Sequence, residues 1–324
     1  MDGPAGPGRR AHRDRPPGRG DRRLASYQTF VDWETTSGVP NPFPPIFADY
    51  VASLGATPMV TWQPQATPVH GQSPSSQPDF ALAQILTGRY DTLVRGWADQ
   101  ARGFGRTVYV RLMHEMNGSW YPWGNGINGN TPAQYVAAWQ HIVSLFPGEG
   151  VTNVRFVWCA SAGAHGNAPP YFPGDPWAAW IAVDGYNRAS TWRSFTQVIG
   201  ARYAEVTAVS ALPVMIAETA SLEDPLDPSA KADWITSAFL QEIPQSFPRV
   251  QAALYSDGPD RGHAAAPDVV GRRLLGLHPG GGVTALPGTG AGLNRCVERV
   301  PEVGPVGPVR PPGDRPRVAP CTTP

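Results

Sequence analysis

Glu115 stands inside VYVRLMHEMNGSWYPWG, Val108 to Gly124, a β-rich run that ends abruptly in His114, Glu115 and Asn117 and then in Trp120, Tyr121 and Trp123. An acid at the mouth of a strand, crowded by polar groups and flat rings, suits one chemistry in particular. It can protonate a glycosidic oxygen while aromatic faces pack against the C–H face of a pyranose. A second glutamate, Glu218, ends another apolar run, Leu212 to Ala217. Two carboxyl groups roughly 5–5.5 Å apart across a sugar can cleave its glycosidic bond with retention: one protonates the leaving oxygen, the other attacks the anomeric carbon. Glutamates from different strands of one barrel mouth could meet that spacing. The bland alternative is two unrelated surface glutamates at loop starts.

The neighbours of the pair carry two readings each. His114 either contacts substrate or buttresses the site, and a satisfied core histidine has the same sequence signature. Asn117 either binds a sugar hydroxyl or fixes its loop. Trp62, Trp120, Trp123 and Trp158 are candidate sugar platforms; any single tryptophan is more often core, but Trp120 and Trp123 cluster directly after Glu115. Tyr186 follows a strand through Asp184 and Gly185, where a phenol could hydrogen-bond the nucleophile or simply anchor the loop. Asp184 joins the substrate-binding candidates because polar groups recur just past the strand ends: Glu115, Asn117, Ser161, Asp184, Tyr186 and Glu218.

Other chemistries are poorly supported. No G-x-S-x-G elbow is present. His114-Glu115 lacks the second histidine of H-E-x-x-H, since Gly118 occupies its place. Cys159, Cys296 and Cys321 are too few and too scattered for a disulfide framework or a zinc site. Asn117-Gly118-Ser119 formally matches a glycosylation acceptor, but nothing else points to that context. Glu223, Asp224 and Asp227 read as a solvated acidic loop. No metal or cofactor is called for.

The elements that must position these groups alternate in type. Strands are expected at Tyr27–Trp33, Thr57–Trp62, Val108–Met113, Val154–Cys159, Trp180–Asp184, Leu212–Ala217 and Val250–Tyr255, several of them nearly continuous apolar runs. Helical spacing occupies Phe43–Leu54, Phe80–Phe104 with a break near Gly88, Arg193–Thr207 and Ser229–Ile243. Another helix begins with Thr131 as N-cap, Pro132 at N1 and Gln134 at N3. Strands alternating with helices imply a parallel sheet, and in a (β/α) barrel its C-terminal strand ends converge on one face. A doubly wound open sheet competes, but no Gly-rich phosphate fingerprint follows the first strands.

The 324 residues carry 26 basic and 26 acidic side chains, so no basic footprint suggests nucleic acid. No apolar run is long enough to span a bilayer, and no secretory leader is legible. Every Phe, Trp and Tyr lies between Tyr27 and Tyr255. Residues 1–26 and 256–324 are filled instead with Gly, Pro, Arg, Val and Ala, and segments so poor in large apolar groups cannot offset the entropy of ordering. Both are expected to be disordered, low-complexity flanks around a catalytic unit at 27–255. Text of this kind also arises when a GC-rich gene is read out of frame.

Taken together, these residues resemble glycoside hydrolase family 26, a retaining family within the large (β/α)8 clan. The likeness covers Tyr27 to about Tyr255. It is carried by RLMHEMNGSWYPWG (Arg111–Gly124), with support from GATPMVTWQP (Gly55–Pro64), FVWCAS (Phe156–Ser161), YFPGDPWAAWIAVDGYN (Tyr171–Asn187) and PVMIAETAS (Pro213–Ser221). The resemblance implies that Glu115 is the acid/base and Glu218 the nucleophile, with His114, Trp120 and Tyr186 in the innermost sugar subsite. It implies a cofactor-free enzyme acting mostly on β-1,4-mannan, with mixed-linkage β-glucan or β-1,3-xylan as alternatives. A monomer is expected; a polysaccharide hydrolase is expected outside the cell, but with no export signal visible the localisation stays open. In this clan the acid/base ends the fourth strand and the nucleophile the seventh. Only two strands precede the Glu115 strand here, so the (β/α)8 TIM barrel is expected to be incomplete, lacking a legible first strand and helix and a last helix.

Overall fold

The computed structural model describes residues 26–69, 75, 77–188, 192–224 and 226–256, and the backbone of 272–276. The flanks named above lie outside the described residues except for Ser26, Ser256 and that five-residue stretch.

Seven strands run parallel in sequence order: β1 (Ser26–Glu34), β2 (Thr57–Ala66), β3 (Val108–Leu112), β4 (Val154–Ser161), β5 (Trp180–Asn187), β6 (Val214–Ser221) and β7 (Val250–Tyr255). All seven expected strands form. β2, β5 and β6 continue three to four residues further than their apolar runs, because their last residues still pair with the neighbouring strands. The sheet curls, and its ends meet through β8 (Arg272–Gly276), which pairs antiparallel with both β1 and β7. This strand falls inside the stretch expected to be disordered. Its backbone supplies partners for two edges that would otherwise present unpaired N–H and C=O groups.

The architecture is thus a partial (β/α) barrel. Helix α1 (Pro45–Ser53) follows β1; α2 (Leu82–Ile85) and α3 (Asp91–Phe104) follow β2; α4 (Pro132–Gly148) follows β3; α5 (Phe195–Val209) follows β5; α6 (Ala230–Ser237) and α7 (Ile243–Ser246) follow β6, joined by one π-helical turn. Among the described residues no α-helix separates β4 from β5, and none follows β7. The break anticipated near Gly88 is real: the chain there adopts φ +80° between α2 and α3. The Thr131 cap is a full capping box, with the Gln134 amide N–H donating to the Thr131 hydroxyl at 3.2 Å and the Thr131 N–H donating to the Gln134 side chain at 2.9 Å.

Strand alternation divides the interior into two layers. Met59, Val157, Cys159, Trp180, Ala182, Met215, Ala217, Ala252 and Leu254 fill the barrel. The opposite faces of the same strands, including Val60, Trp62, Val110, Leu112, Trp158, Val183 and Ile216, pack outward with α3, α4 and α5 in a larger cluster.

Candidate active site

β3 supplies the base of the site. Its alternation turns Arg111 into the barrel, and Arg111 is completely buried. A buried guanidinium must be paired, and here every neighbour contributes. Nε donates to Thr61 Oγ1 on β2 at 2.9 Å, and Nη1 donates to Asp184 Oδ2 on β5 at 2.6 Å. Nη1 also approaches Cys159 Sγ on β4 at 3.8 Å, while Nη2 donates to Glu218 Oε1 on β6. The Gln28 amide of β1 closes the ring: in the orientation that satisfies it, its oxygen accepts from Arg111 at 2.6 Å and its nitrogen donates to the Ala217 carbonyl at 3.2 Å. Phe30 lies 5.6 Å from the guanidinium carbon.

Glu218 faces inward against simple alternation. Ala217 is an interior residue, so its successor should point out. The register between β5 and β6 shifts between Val183 and Asp184, and that between β6 and β7 shifts across Ile216–Thr219. A β-bulge at Ala217–Glu218 re-aims the side chain into the mouth. There one oxygen accepts from Arg111 and the other from the Tyr186 hydroxyl. Arg188 sits over the Tyr186 ring at 4.5 Å.

Just past β3 the backbone takes two left-handed steps, Met113 at φ 43° and Glu115 at φ 54°. Non-glycine residues rarely adopt this region, and it persists where surrounding contacts enforce it. The enforcing contacts are visible. The Glu115 amide donates to the Cys159 carbonyl at 2.8 Å, the Met113 amide to the Trp62 carbonyl at 3.2 Å, and the Tyr135 hydroxyl to the Met113 carbonyl at 2.9 Å. The kinks remove the alternation that would have turned His114 away from Glu115. The His114 ring lies 5.9 Å from Phe30, 4.7 Å from Tyr121 and 6.1 Å from Trp123, and its carbonyl accepts from Trp123 Nε1 at 2.8 Å.

Glu115 is half-buried, and Trp120 Nε1 donates to its Oε2 at 2.8 Å. Trp120 reaches it by folding over Gly118: a β-carbon there would meet the indole at 2.4 Å. Burial, reinforced by the charge of Glu218, raises the Glu115 carboxyl above its ordinary range; Arg111 and hydrogen bonds from Trp120 and Ser161 oppose this. Burial also pushes Asp184 well above the usual carboxylate range, against the pull of Arg111.

Five of the ten expected site residues therefore meet at the mouth: His114, Glu115, Trp120, Tyr186 and Glu218. The other five are taken up in packing or in contacts below the mouth. Trp62 and Trp158 have no exposed surface and lie on the outward face; Trp62 stacks 4.4 Å from Trp97, and Trp158 meets Phe172 edge-on at 5.1 Å. Trp123 is equally buried, stacked under Tyr121 at 4.5 Å. A ring with no accessible face offers no sugar platform, which corrects these three assignments. Asp184 is sealed beneath the mouth as the partner of Arg111. Asn117 is the loop clamp, donating to the carbonyls of Ser161 and Gly166 at 2.9 and 3.1 Å and accepting from the Ser161 amide at 2.9 Å.

Arg111 went unassigned in the sequence, although its signal was present: one charge within VYVRLM must either be paired or break the strand. His114, Asp184 and Glu218 bring potential ligand atoms within 4.8 Å of one another. Arg111 already bridges both carboxylates and supplies the positive charge a metal would bring, so this donor set does not fit a metal site.

Residues 83–226 match the sequence profile of glycosyl hydrolase family 26. The chain is 32% identical over 245 residues to Endoglucanase H of Acetivibrio thermocellus, an alignment covering 72% of this chain and 25% of that protein. It is 29% identical over 119 residues to Mannan endo-1,4-beta-mannosidase A and B of Caldalkalibacillus mannanilyticus, covering 32% of this chain and 23% of that protein. The chain thus spans about a quarter of the length of these curated relatives. The solved YdhT protein of Bacillus subtilis shares the fold, with TM-score 0.50 and 15% identity over 72% of this chain and 79% of that one. The acid motif, the second glutamate and these likenesses agree: the chain belongs to glycosyl hydrolase family 26.

Proposed function

We propose that this protein is a retaining endo-β-glycosidase acting on β-1,4-mannan-type polysaccharide, with Glu218 as nucleophile and Glu115 as acid/base. The observation that carries the reading is the contrast between the two glutamates. Glu218 has a permanent cation on one oxygen and a phenol on the other, the setting of a carboxylate positioned to attack. Glu115 is inclined to keep its proton, the condition of a general acid.

In the first step a Glu218 oxygen attacks the anomeric carbon as its bond to the leaving oxygen breaks, and Glu115 gives that oxygen its proton. In the second step Glu115, now a carboxylate, takes a proton from water. The water oxygen displaces Glu218 from the anomeric carbon, and the sugar leaves with its original configuration. Trp120 holds the Glu115 carboxyl through both steps, and Tyr186 and Arg111 hold Glu218.

The relatives' names divide between endoglucanase and mannosidase, so mixed-linkage β-glucan and β-1,3-xylan belong in the same assay. Hydrolysis of mannan, lichenan and β-1,3-xylan by the wild type, Glu115→Gln and Glu218→Gln proteins tests the proposal. Loss of turnover in both variants with the fold retained is expected; normal turnover by either variant sinks it. The antiparallel pairing of β8 with β1 and β7 favours a second reading, a carbohydrate-binding remnant. Oligosaccharide binding by calorimetry without turnover by the wild type would select that one.

A further inference from the structure

Tyr121 is left over once the mouth is assigned. Its ring is held parallel to buried Trp123, 4.5 Å away and 7° from coplanar, so one face is covered. The His114 ring closes on it from another side at 4.7 Å. Trp123 is fixed in turn by its bond to the His114 carbonyl, and the Gly124 amide donates to the Tyr121 carbonyl at 2.9 Å. The ring is therefore rigid and only half-buried. His114 in turn brings a ring nitrogen within 4.8 Å of a Glu218 oxygen, and the adjacent Trp120 bonds Glu115, so the Tyr121 ring stands beside both carboxylates of the mouth. Burial, with the charges of Glu115 and Glu218, pushes its phenol well above the ordinary range. Among the described residues no group bonds to that hydroxyl, and it is not one of the sealed, unsatisfied polar atoms.

We infer that Tyr121 is a specificity-determining residue whose hydroxyl bonds to a hydroxyl group of the sugar ring bound between Glu115 and Glu218. The inference rests on the sugar-binding reading of the mouth given above. Pre-organisation supports it: a phenol locked by stacking and backbone contacts loses little freedom when it binds. A neutral donor and acceptor beside two carboxylates can read a sugar hydroxyl without adding charge to the site.

The test is calorimetric titration of β-1,4-manno- and gluco-oligosaccharides into Glu115→Gln and into the double variant Glu115→Gln, Tyr121→Phe. Hydrolysis and thermal melting are measured on the wild type and Tyr121→Phe. Removing one oxygen atom leaves the stack in place, so melting should be unchanged. Binding should weaken by about five- to tenfold, the worth of one hydrogen bond, and kcat/KM should fall at least as far. Unchanged affinity in the double variant overturns the inference, as does a Glu115→Gln protein that binds none of these sugars. A wild type that fails to hydrolyse but binds in a Tyr121-dependent way upholds the inference while removing the catalytic reading.

Discussion

Arg111 and Glu218, contributed by strands three positions apart in the barrel, form an ion pair whose side chains are 0% and 7% exposed. The same guanidinium holds Asp184 at 2.6 Å, so two carboxylates from β5 and β6 depend on one cation. That dependence makes the floor of the site a structural element as well as the setting of the proposed nucleophile. Removing the cation from a buried pair leaves charge with nothing to compensate it, at a cost of about 3–5 kcal/mol. Arg111→Met should therefore lower stability by that order in urea denaturation, far more than loss of the same side chain from the exposed Arg89–Asp79 pair, for which Arg89→Met should be nearly silent.

The raised Glu115 carboxyl ties activity to stability. Because the folded state binds this proton more tightly than the unfolded chain, whose ordinary value is 4.5, the stability it contributes is full below that pH. It is lost as pH rises through the folded-state value. Glu115→Gln is neutral at every pH and escapes the loss. Its melting temperature should exceed that of the wild type at pH 7, and the difference should vanish toward pH 4, while kcat falls on the order of a hundredfold or more.

Tyr186 donates to the oxygen of Glu218 that Arg111 leaves free. Tyr186→Phe keeps the ring and the cation stacked over it but removes this donor. A hydrogen bond to a charged group is worth about 1.5–3 kcal/mol, so kcat should drop on the order of ten- to a hundredfold. KM for polysaccharide should move little, which initial-rate kinetics will show.

Gly118 is needed because Trp120 occupies the space of its absent β-carbon. Gly118→Ala should push the indole off Glu115 and break the 2.8 Å bond between them. On the order of a tenfold loss in kcat is expected from one lost hydrogen bond to the proposed acid, accompanied by a change in tryptophan fluorescence.

Much of this site could be read from the chain. The run from Arg111 to Gly124 holds Glu115, the proposed acid, and the alternation of strands and helices names a barrel-like sheet. Period-two alternation also separates Trp62 and Trp158 from the interior residues Thr61, Cys159 and Arg111. Three features resist a sequence reading for physical reasons. The inward turn of Glu218 comes from a bulge, a property of register between β5, β6 and β7 that no single strand encodes. The left-handed steps at Met113 and Glu115 are imposed by contacts from β2, β4 and α4 on residues with no local preference for that region. β8 has no aromatic or β-branched signature and is defined by the two backbone edges it joins.

The paired-glutamate account makes one claim that a single spectrum can check. Proton NMR of β-1,4-manno-oligosaccharide hydrolysis, recorded before mutarotation, reports the configuration of the first product released. A nucleophile at Glu218 and an acid/base at Glu115 predict that the β-anomer is released first. Initial release of the α-anomer, or no hydrolysis of this substrate by the folded wild type, would contradict the account.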